Sequence, residues 1–418
     1  MSEPTLLEKP AETGSYEFQS AAFLRDPFPT FARLRESDPV FWSDALRGWV
    51  LTGYDDVKQG MDMSVDFVKP FAETFRLRRG ENPDVRDLGQ LVGDWMSFFD
   101  VPAHTRLRGL LNQVVNRGSV EAIRLRIVEI AKTLVHELQG TPTPDIASRF
   151  SNLLPVLVIG EMLGISSVAD CHQLMAWSDE LHLFVGQPTN AAGKYARAAE
   201  AAREMDRYFR EEIALRRKRP LDDGITRMIQ AGAADERLTD AELAANCAML
   251  FYAGHETTAG QISLALLALA RHKPQLQRLR ADMGGLMANA CEEFFRYDGP
   301  VQAMVRVADR DVVIRGRKVR AGDRIYPFIN AANRDPSVFA DADVLDIGRQ
   351  DNRHIVFGHG VHFCIGSWLA RAEVPIALGA LLERVVDLDL VPGATVEMRD
   401  SLAFRAPKAM PMELQWRN

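Results

Sequence analysis

The sequence predicts a mainly α-helical protein with a minor β component, and three observations carry that prediction. Apolar residues recur with helical periodicity over about residues 55–273. Short alternating segments punctuated by Gly, Pro and Asp cluster towards the two ends of the chain. The composition, 47% hydrophobic and 26% charged over 418 residues, is that of an ordinary globular chain long enough to enclose a large ligand.

Taken in order, residues 1–25 read as a flexible N-terminal segment and 26–418 as a single domain, an α-rich bulk with a small β-rich part. Asp26-Pro27-Phe28-Pro29 precedes a helical stretch over 30–36, and residues 39–44 and 48–54 read as two strands joined by a short turn. The helical region that follows breaks at 140–144, 186–188 and 219–220, where Gly and Pro gather. Thr239-Asp240 has the character of an N-terminal cap, and the apolar pattern behind it runs to about Arg271. Such a helix spans about 45 Å, enough to cross a domain. After Pro274 one further helix carries Cys291 to Tyr297 and stops at Gly299-Pro300. Residues 311–330 alternate as strands around Gly316 and Gly322, a loop-rich region follows, a helix starts near Ser367, and the tail from Val391 is β-like.

Charge and cysteine usage exclude several classes. With 50 Lys and Arg against 57 Asp and Glu, the formal charge is −7, a poor match to nonspecific nucleic-acid binding. The four cysteines, Cys171, Cys247, Cys291 and Cys364, form no CxxC pair and suit a reducing compartment. The N-terminus lacks the apolar stretch of a signal peptide, and the longest clean apolar run, 262–270, falls well short of the about 20 residues that span a bilayer. These features lead us to expect a soluble, cytoplasmic, monomeric protein with no nucleic-acid or membrane partner.

Chemistry concentrates in Phe357-Gly-His-Gly-Val-His-Phe-Cys364-Ile-Gly366. Its glycines permit positive-φ backbone and close approach of a bulky group. A helix N-terminus just beyond the sulfur favours thiolate, the form that binds metal or attacks. Phe357 is placed to cover the sulfur. A lone cysteine in a Gly-rich turn is ordinarily a structural thiol. The pattern F-G-x-G-x-H-x-C-x-G, however, arises by chance roughly once in a million chains of this length. Cys171, Cys247 and Cys291 lie in apolar helical settings and read as inert.

This window resembles the haem-binding loop of the cytochrome P450 family, and further motifs in the same order extend the resemblance from about Asp26 to the end of the chain. The resemblance implies a P450-like fold with haem b buried between the long helix and the cysteine loop, and Cys364 as the thiolate ligand of the metal. Phe357, His362 and Gly366 would contact the cofactor. Ala253-Gly-His-Glu-Thr-Thr258 lies midway along the long helix, where Gly, Glu and Thr are poor interior residues and a Thr can bond the carbonyl one turn back, opening a polar notch. By resemblance Glu256 and Thr257 manage proton delivery, and Ala253 and Gly254 leave room for dioxygen.

Glu293 and Arg296, three apart on a helix among Phe294, Phe295 and Tyr297, can pair across one face. They match the family's E-x-x-R signature, with Arg349 where the third partner of that buried structural network is expected. His104 and Arg108, one turn apart, together with Arg306 and His362, match positions that bind the two haem propionates. Met249, Tyr252, Gln302, Ala303, Met304 and Phe404 match positions lining the substrate pocket. Trp95, Phe98 and Phe99 fall in an entrance loop, and Tyr252 and Gln302 offer one or two hydrogen bonds.

The activity implied is that of a monooxygenase, a hydroxylase or epoxidase, inserting one atom of dioxygen into a hydrophobic small molecule of terpenoid, steroid or polyketide type. Electrons would come from a separate ferredoxin or flavodoxin and its reductase, docking near Cys364 with Arg353 and Arg371 as candidate contacts. A peroxide-driven oxidase or peroxygenase and a non-enzymatic haem sensor or electron carrier are the alternatives. The first commonly replaces the acid–alcohol pair, and the second needs neither proton relay nor pocket.

Overall fold

The computed structural model describes residues 18, 20–62, 67–68, 88–89, 92–185, 193–233 and 237–417. The expected break at 186–188 and residues 1–17 of the expected flexible segment lie outside them. In chain order the helices used below are α1 (Ala21–Arg25), α2 (Phe28–Ser37), α3 (Tyr54–Met61), α4 (Ala103–Leu111), α5 (Arg117–Leu138), α6 (Leu153–Leu163), α7 (Val168–Val185) and α8 (Lys194–Lys218). They continue with α9 (Asp240–Arg271), α10 (Lys273–Ala281), α11 (Met283–Tyr297) and α12 (Ser367–Arg384). The strands are β1 (Val40–Ser43), β2 (Gly48–Leu51), β3 (Phe67–Val68), β4 (Arg306–Ala308), β5 (Val312–Ile314), β6 (Arg317–Val319), β7 (Arg324–Pro327), β8 (Val385–Leu390) and β9 (Met412–Trp416).

The chain divides into two compact units. Met1–Pro70, Gln277–Cys364 and Glu397–Ala406 form one, and Phe71–Leu276, Ile365–Val396 and Pro407–Asn418 the other. Each is assembled from separated stretches, a division that a linear pattern does not display.

The first unit holds a five-stranded sheet in the order β1-β2-β7-β4-β3. The β1–β2 pair is antiparallel with Val40 opposite Leu51, and β7 lies parallel to β2 with Val50 opposite Tyr326. Trp49, Leu51, Ile325, Ile314, Val319 and Phe339 share one apolar core. The β5–β6 hairpin turns through Arg315 and Gly316, both at positive φ, the geometry a two-residue loop needs to match strand twist. A second cluster gathers Phe18, Phe23, Phe31, Val50 and Phe328, with Phe18 stacked on Phe328 at 5.6 Å. Residues 20–25, expected within the flexible segment, therefore fold: Ser20 caps α1 by accepting from the Phe23 N–H, and buried Phe23 anchors the helix.

Among its described residues the second unit is helical apart from the β8–β9 pair. Its axis is α9, which starts where the sequence placed it. The Thr239 hydroxyl accepts from the Glu242 N–H while the Glu242 carboxylate accepts from the Thr239 N–H, a reciprocal capping box. Nearly the whole length of α9 is buried, packed by α6, α8 and α12. That explains its apolar composition all round. Among the described residues no single helix is long and apolar enough to cross a membrane.

Two expected boundaries move. The single helix after Pro274 is two, because the Asp282 carboxylate accepts from the Gly285 N–H and starts α11 afresh. The β-like tail begins earlier, at Val385 directly behind α12, and then leaves the sheet until β9. The alternation in 391–411 reflects isolated bridging, as at Val301 with Phe404, rather than a strand.

Candidate active site

In the first unit, α11 ends in a buried ionic network. Glu293 and Arg296 have no solvent exposure and form a two-pronged pair, Nε to Oε2 at 2.7 Å and Nη2 to Oε1 at 2.8 Å. Arg296 also donates to the carbonyls of Asn333, Ala342 and Val344 at 3.0, 2.7 and 3.0 Å. Arg349 Nε donates to Glu293 at 3.1 and 3.3 Å, as expected of the third partner, and its Nη1 reaches the Ala340 carbonyl at 2.7 Å. Two contributors escaped the sequence: the Asp346 N–H and the Asn352 amide, donating to Glu293 at 3.0 and 3.1 Å. A buried charge is tolerable only when its hydrogen-bonding capacity is met, and here it is met by side chains and backbone together.

The cysteine loop lies just past this network. Gly358 and Gly360 sit at φ +81° and +70°, where a side chain would strain the backbone, and the Cys364 N–H closes the turn on the Phe357 carbonyl at 2.8 Å. Phe357 packs on Phe295 at 5.0 Å and on His354 at 5.9 Å. The His354 side chain, only 2% exposed, is bonded to Glu292 at 2.9 Å. The loop is thus braced from α11. Cys364 is the one exposed thiol of the four. Burial pushes the Cys171 thiol up to about 11 and those of Cys247 and Cys291 higher still, so these three stay protonated and inert.

In the second unit, α9 carries the polar notch. Thr257 donates to the Ala253 carbonyl at 3.2 Å, the back-bond its position predicted. Glu256 is buried, with its Oε1 3.5 Å from His182 Nδ1 on α7 and its Oε2 3.8 Å from His255 Nε2. The sequence passed over His182, although a titratable residue between Leu181 and Leu183 on an apolar helix was a usable signal. It also passed over Glu373 on α12, wholly buried beside Thr258, whose carboxyl burial raises well above the ordinary range. One role is added. The space a side chain would take at Gly254 is filled by Ile159 of α6, with Cγ1 at 3.0 Å, so this glycine also serves close helix packing.

The expected pocket residues fall in both units. In the first, backbone bonds from Gln302 and Ala303 to the Ala403 carbonyl bring them together with Phe404, whose partner is Val301. The Gln302 amide donates one N–H to the Leu402 carbonyl at 3.3 Å. Met304 is half-buried against the sheet core. In the second unit, Trp95 stacks on Phe98 at 5.6 Å and packs with a tilt against Tyr252 at 5.4 Å, while Met249 lies buried one turn before Tyr252. Phe99 is half-buried.

Of the basic set, α4 presents buried His104 and half-buried Arg108 on one face. Arg306 is buried on β4 and His362 lies in the turn before Cys364; these two belong to the first unit. Arg353 is engaged by Asp351 at 2.6 Å, and Gly366 directly precedes α12.

Comparison with known proteins decides the family. A model described as Cytochrome P450 matches residues 74–410. The chain belongs to the cytochrome P450 family. The biotin biosynthesis cytochrome P450 of Bacillus subtilis (strain 168) is 33% identical over 95% of this chain and 98% of its own. The polyketide biosynthesis cytochrome P450 PksS of the same organism is 32% identical over 94% and 96%. Among solved structures, P450BioI in complex with an acyl carrier protein ligated to hexadec-9Z-enoic acid aligns at a TM-score of 0.87 and 33% identity, covering 94% of this chain and 99% of that one. CYP109E1 from Bacillus megaterium in complex with testosterone aligns at 0.84 and 30%, with the same coverage.

This P450 is accordingly a monooxygenase, an oxidoreductase whose cofactor is haem b. The residues fit that group. Among the described residues no three His, Cys, Asp or Glu side chains gather into a multidentate metal site. A single accessible sulfur on a glycine-shaped turn is the donor set that suits an iron already held in a porphyrin plane.

Proposed function

We propose that this P450 oxygenates a medium-to-large hydrophobic molecule of terpenoid, steroid or polyketide type in the cytoplasm, with electrons from a separate ferredoxin or flavodoxin and its reductase. One observation carries the reading. Met249, Tyr252, Ala253, Glu256 and Thr257 recur at i, i+3, i+4, i+7 and i+8 along α9, so apolar lining and acid–alcohol pair share one helical stripe. Relatives that act in polyketide biosynthesis or bind a fatty-acyl chain or testosterone support a hydrophobic substrate.

Within this reading Cys364 holds the iron as thiolate, with Phe357 and Gly366 beside it. His104, Arg108, Arg306 and His362 bind the propionates. When bound, the haem supplies the activation of dioxygen. The remaining tasks fall to side chains. Thr257 directs its proton to the Ala253 carbonyl and so offers its oxygen as an acceptor for water or ligand. Glu256 holds or releases a proton one residue away. Met249, Tyr252, Ala303, Met304 and Phe404 exclude water and orient the apolar substrate, and Gln302 shapes the wall through its bond to Leu402.

A screen of terpenoids, steroids and polyketides for a haem spin-state shift, followed by turnover with NAD(P)H, a reductase and either carrier protein, tests the proposal. It predicts shifts with these compounds and oxygenated product that depends on the carrier. A response only to small charged acids overturns the substrate class, and turnover on peroxide alone overturns the electron route.

A further inference from the structure

The Glu256 carboxylate has a histidine on each side, and their geometry makes them unequal. His255 Nδ1 lies 2.9 Å from the Phe251 carbonyl, which can only accept, so Nδ1 carries the proton. A neutral His255 then turns the lone pair of Nε2, not a donor, towards Glu256 Oε2 at 3.8 Å. His182 differs. Its Nδ1 lies 3.5 Å from Glu256 Oε1 and 3.4 Å from the Tyr252 hydroxyl, one nitrogen between two oxygens. That nitrogen offers either an N–H or a lone pair. An ionised carboxylate only accepts, so Nδ1–H is the state that satisfies Glu256. The phenol can donate to a lone pair there or accept from the N–H, so Tyr252 competes for the same nitrogen. All three side chains are buried, where an unmatched carboxylate is costly.

We infer that His182 is the positioning residue for Glu256: in its Nδ1–H form it holds the carboxylate in place for proton delivery, in competition with Tyr252. The inference rests on the reading of Glu256 as a proton carrier, and it places α7 in the proton machinery through a contact the sequence motifs do not contain. Tyr252 also packs against Trp95, so the competing partner belongs to the aromatic wall of the expected pocket.

The test uses haem-loaded protein in its diamagnetic ferrous carbon monoxide form with ¹⁵N-labelled histidine, where ring-nitrogen shifts distinguish Nδ1–H from Nε2–H. Protonated Nδ1 is expected in the wild type and in Tyr252→Phe. A bare Nδ1 in either protein overturns the inference. A second readout is product formed per NAD(P)H consumed. His182→Asn keeps an amide N–H near the Nδ1 position and should stay coupled, whereas His182→Leu should lose about tenfold. Equal coupling in the two variants overturns the positioning role. If instead Glu256→Gln is itself fully coupled while the tautomers behave as stated, the proton-carrier reading fails and the contact stands.

Discussion

Arg349 donates from a single Nε to both carboxylate oxygens of Glu293, the residue that also grips Arg296 with two bonds of 2.7 and 2.8 Å. Glu293 thereby ties α11 to the segment leading to Cys364, through the Asp346 backbone N–H and the Asn352 side-chain amide. The ionic knot thus adds to the turns of the cysteine loop itself and to the Phe357–Phe295 contact that braces it.

Breaking that knot leaves an unpaired buried charge. Arg296→Leu should destabilise the haem-loaded protein by about 3–5 kcal/mol in urea unfolding followed by tryptophan fluorescence. Arg349→Leu should lose less, on the order of 1–3 kcal/mol, because its guanidinium is partly reached by water, which can replace it. Equal losses would show that the two arginines are interchangeable, contrary to the geometry.

Glu373 gives a pH dependence of definite sign. Its folded carboxyl titrates well above the ordinary value of 4.5 because burial disfavours the charge. Below 4.5 both states are protonated and nothing is lost. As pH rises past 4.5 the unfolded chain ionises first, so stability falls until the raised folded value is passed. Glu373→Gln removes this dependence, so its gain over wild type should be larger at pH 8 than at pH 5, read as the difference in unfolding midpoint. A gain that shrinks with rising pH would contradict it.

Gly254 and Ile159 should be energetically coupled. Alanine at 254 gains helix propensity of about 1 kcal/mol but meets Ile159 Cγ1 at 3.0 Å and Cδ1 at 3.1 Å, an overpacking that costs about 1–3 kcal/mol. Gly254→Ala should be destabilising by about 1 kcal/mol, and in an Ile159→Ala background, which removes both crowding atoms, the same change should no longer destabilise. Additive effects in the double-mutant cycle would mean the two do not touch.

Thr257→Ala removes the acceptor oxygen that Ala253 orients. Product per NAD(P)H should fall by about tenfold or more while Thr257→Ser retains most coupling. An unchanged ratio in the alanine variant removes Thr257 from the proton route.

What was legible in the sequence follows how local each signal is. The cap at Thr239, the Thr257 back-bond and the Glu293–Arg296 pair involve residues three or four apart, and all are where the pattern placed them. Arg349 was reached only through the family resemblance. Asn352, His354, His182 and Glu373 act on partners far along the chain, so no spacing announced them. Residues 20–25 read as flexible because their one aromatic, Phe23, is a weak signal until Phe328 supplies its partner. The packing role of Gly254 was not legible because its filler, Ile159, sits on another helix.

The central claim is that Cys364 binds haem iron as a thiolate. Its most direct test is the absorption spectrum of reduced, haem-loaded protein under carbon monoxide. The account predicts a strongly red-shifted Soret band in the wild type and its loss in Cys364→His, with Cys171→Ala, Cys247→Ala and Cys291→Ala unaffected. A wild-type spectrum without that shift, or a shift that survives Cys364→His, would contradict it.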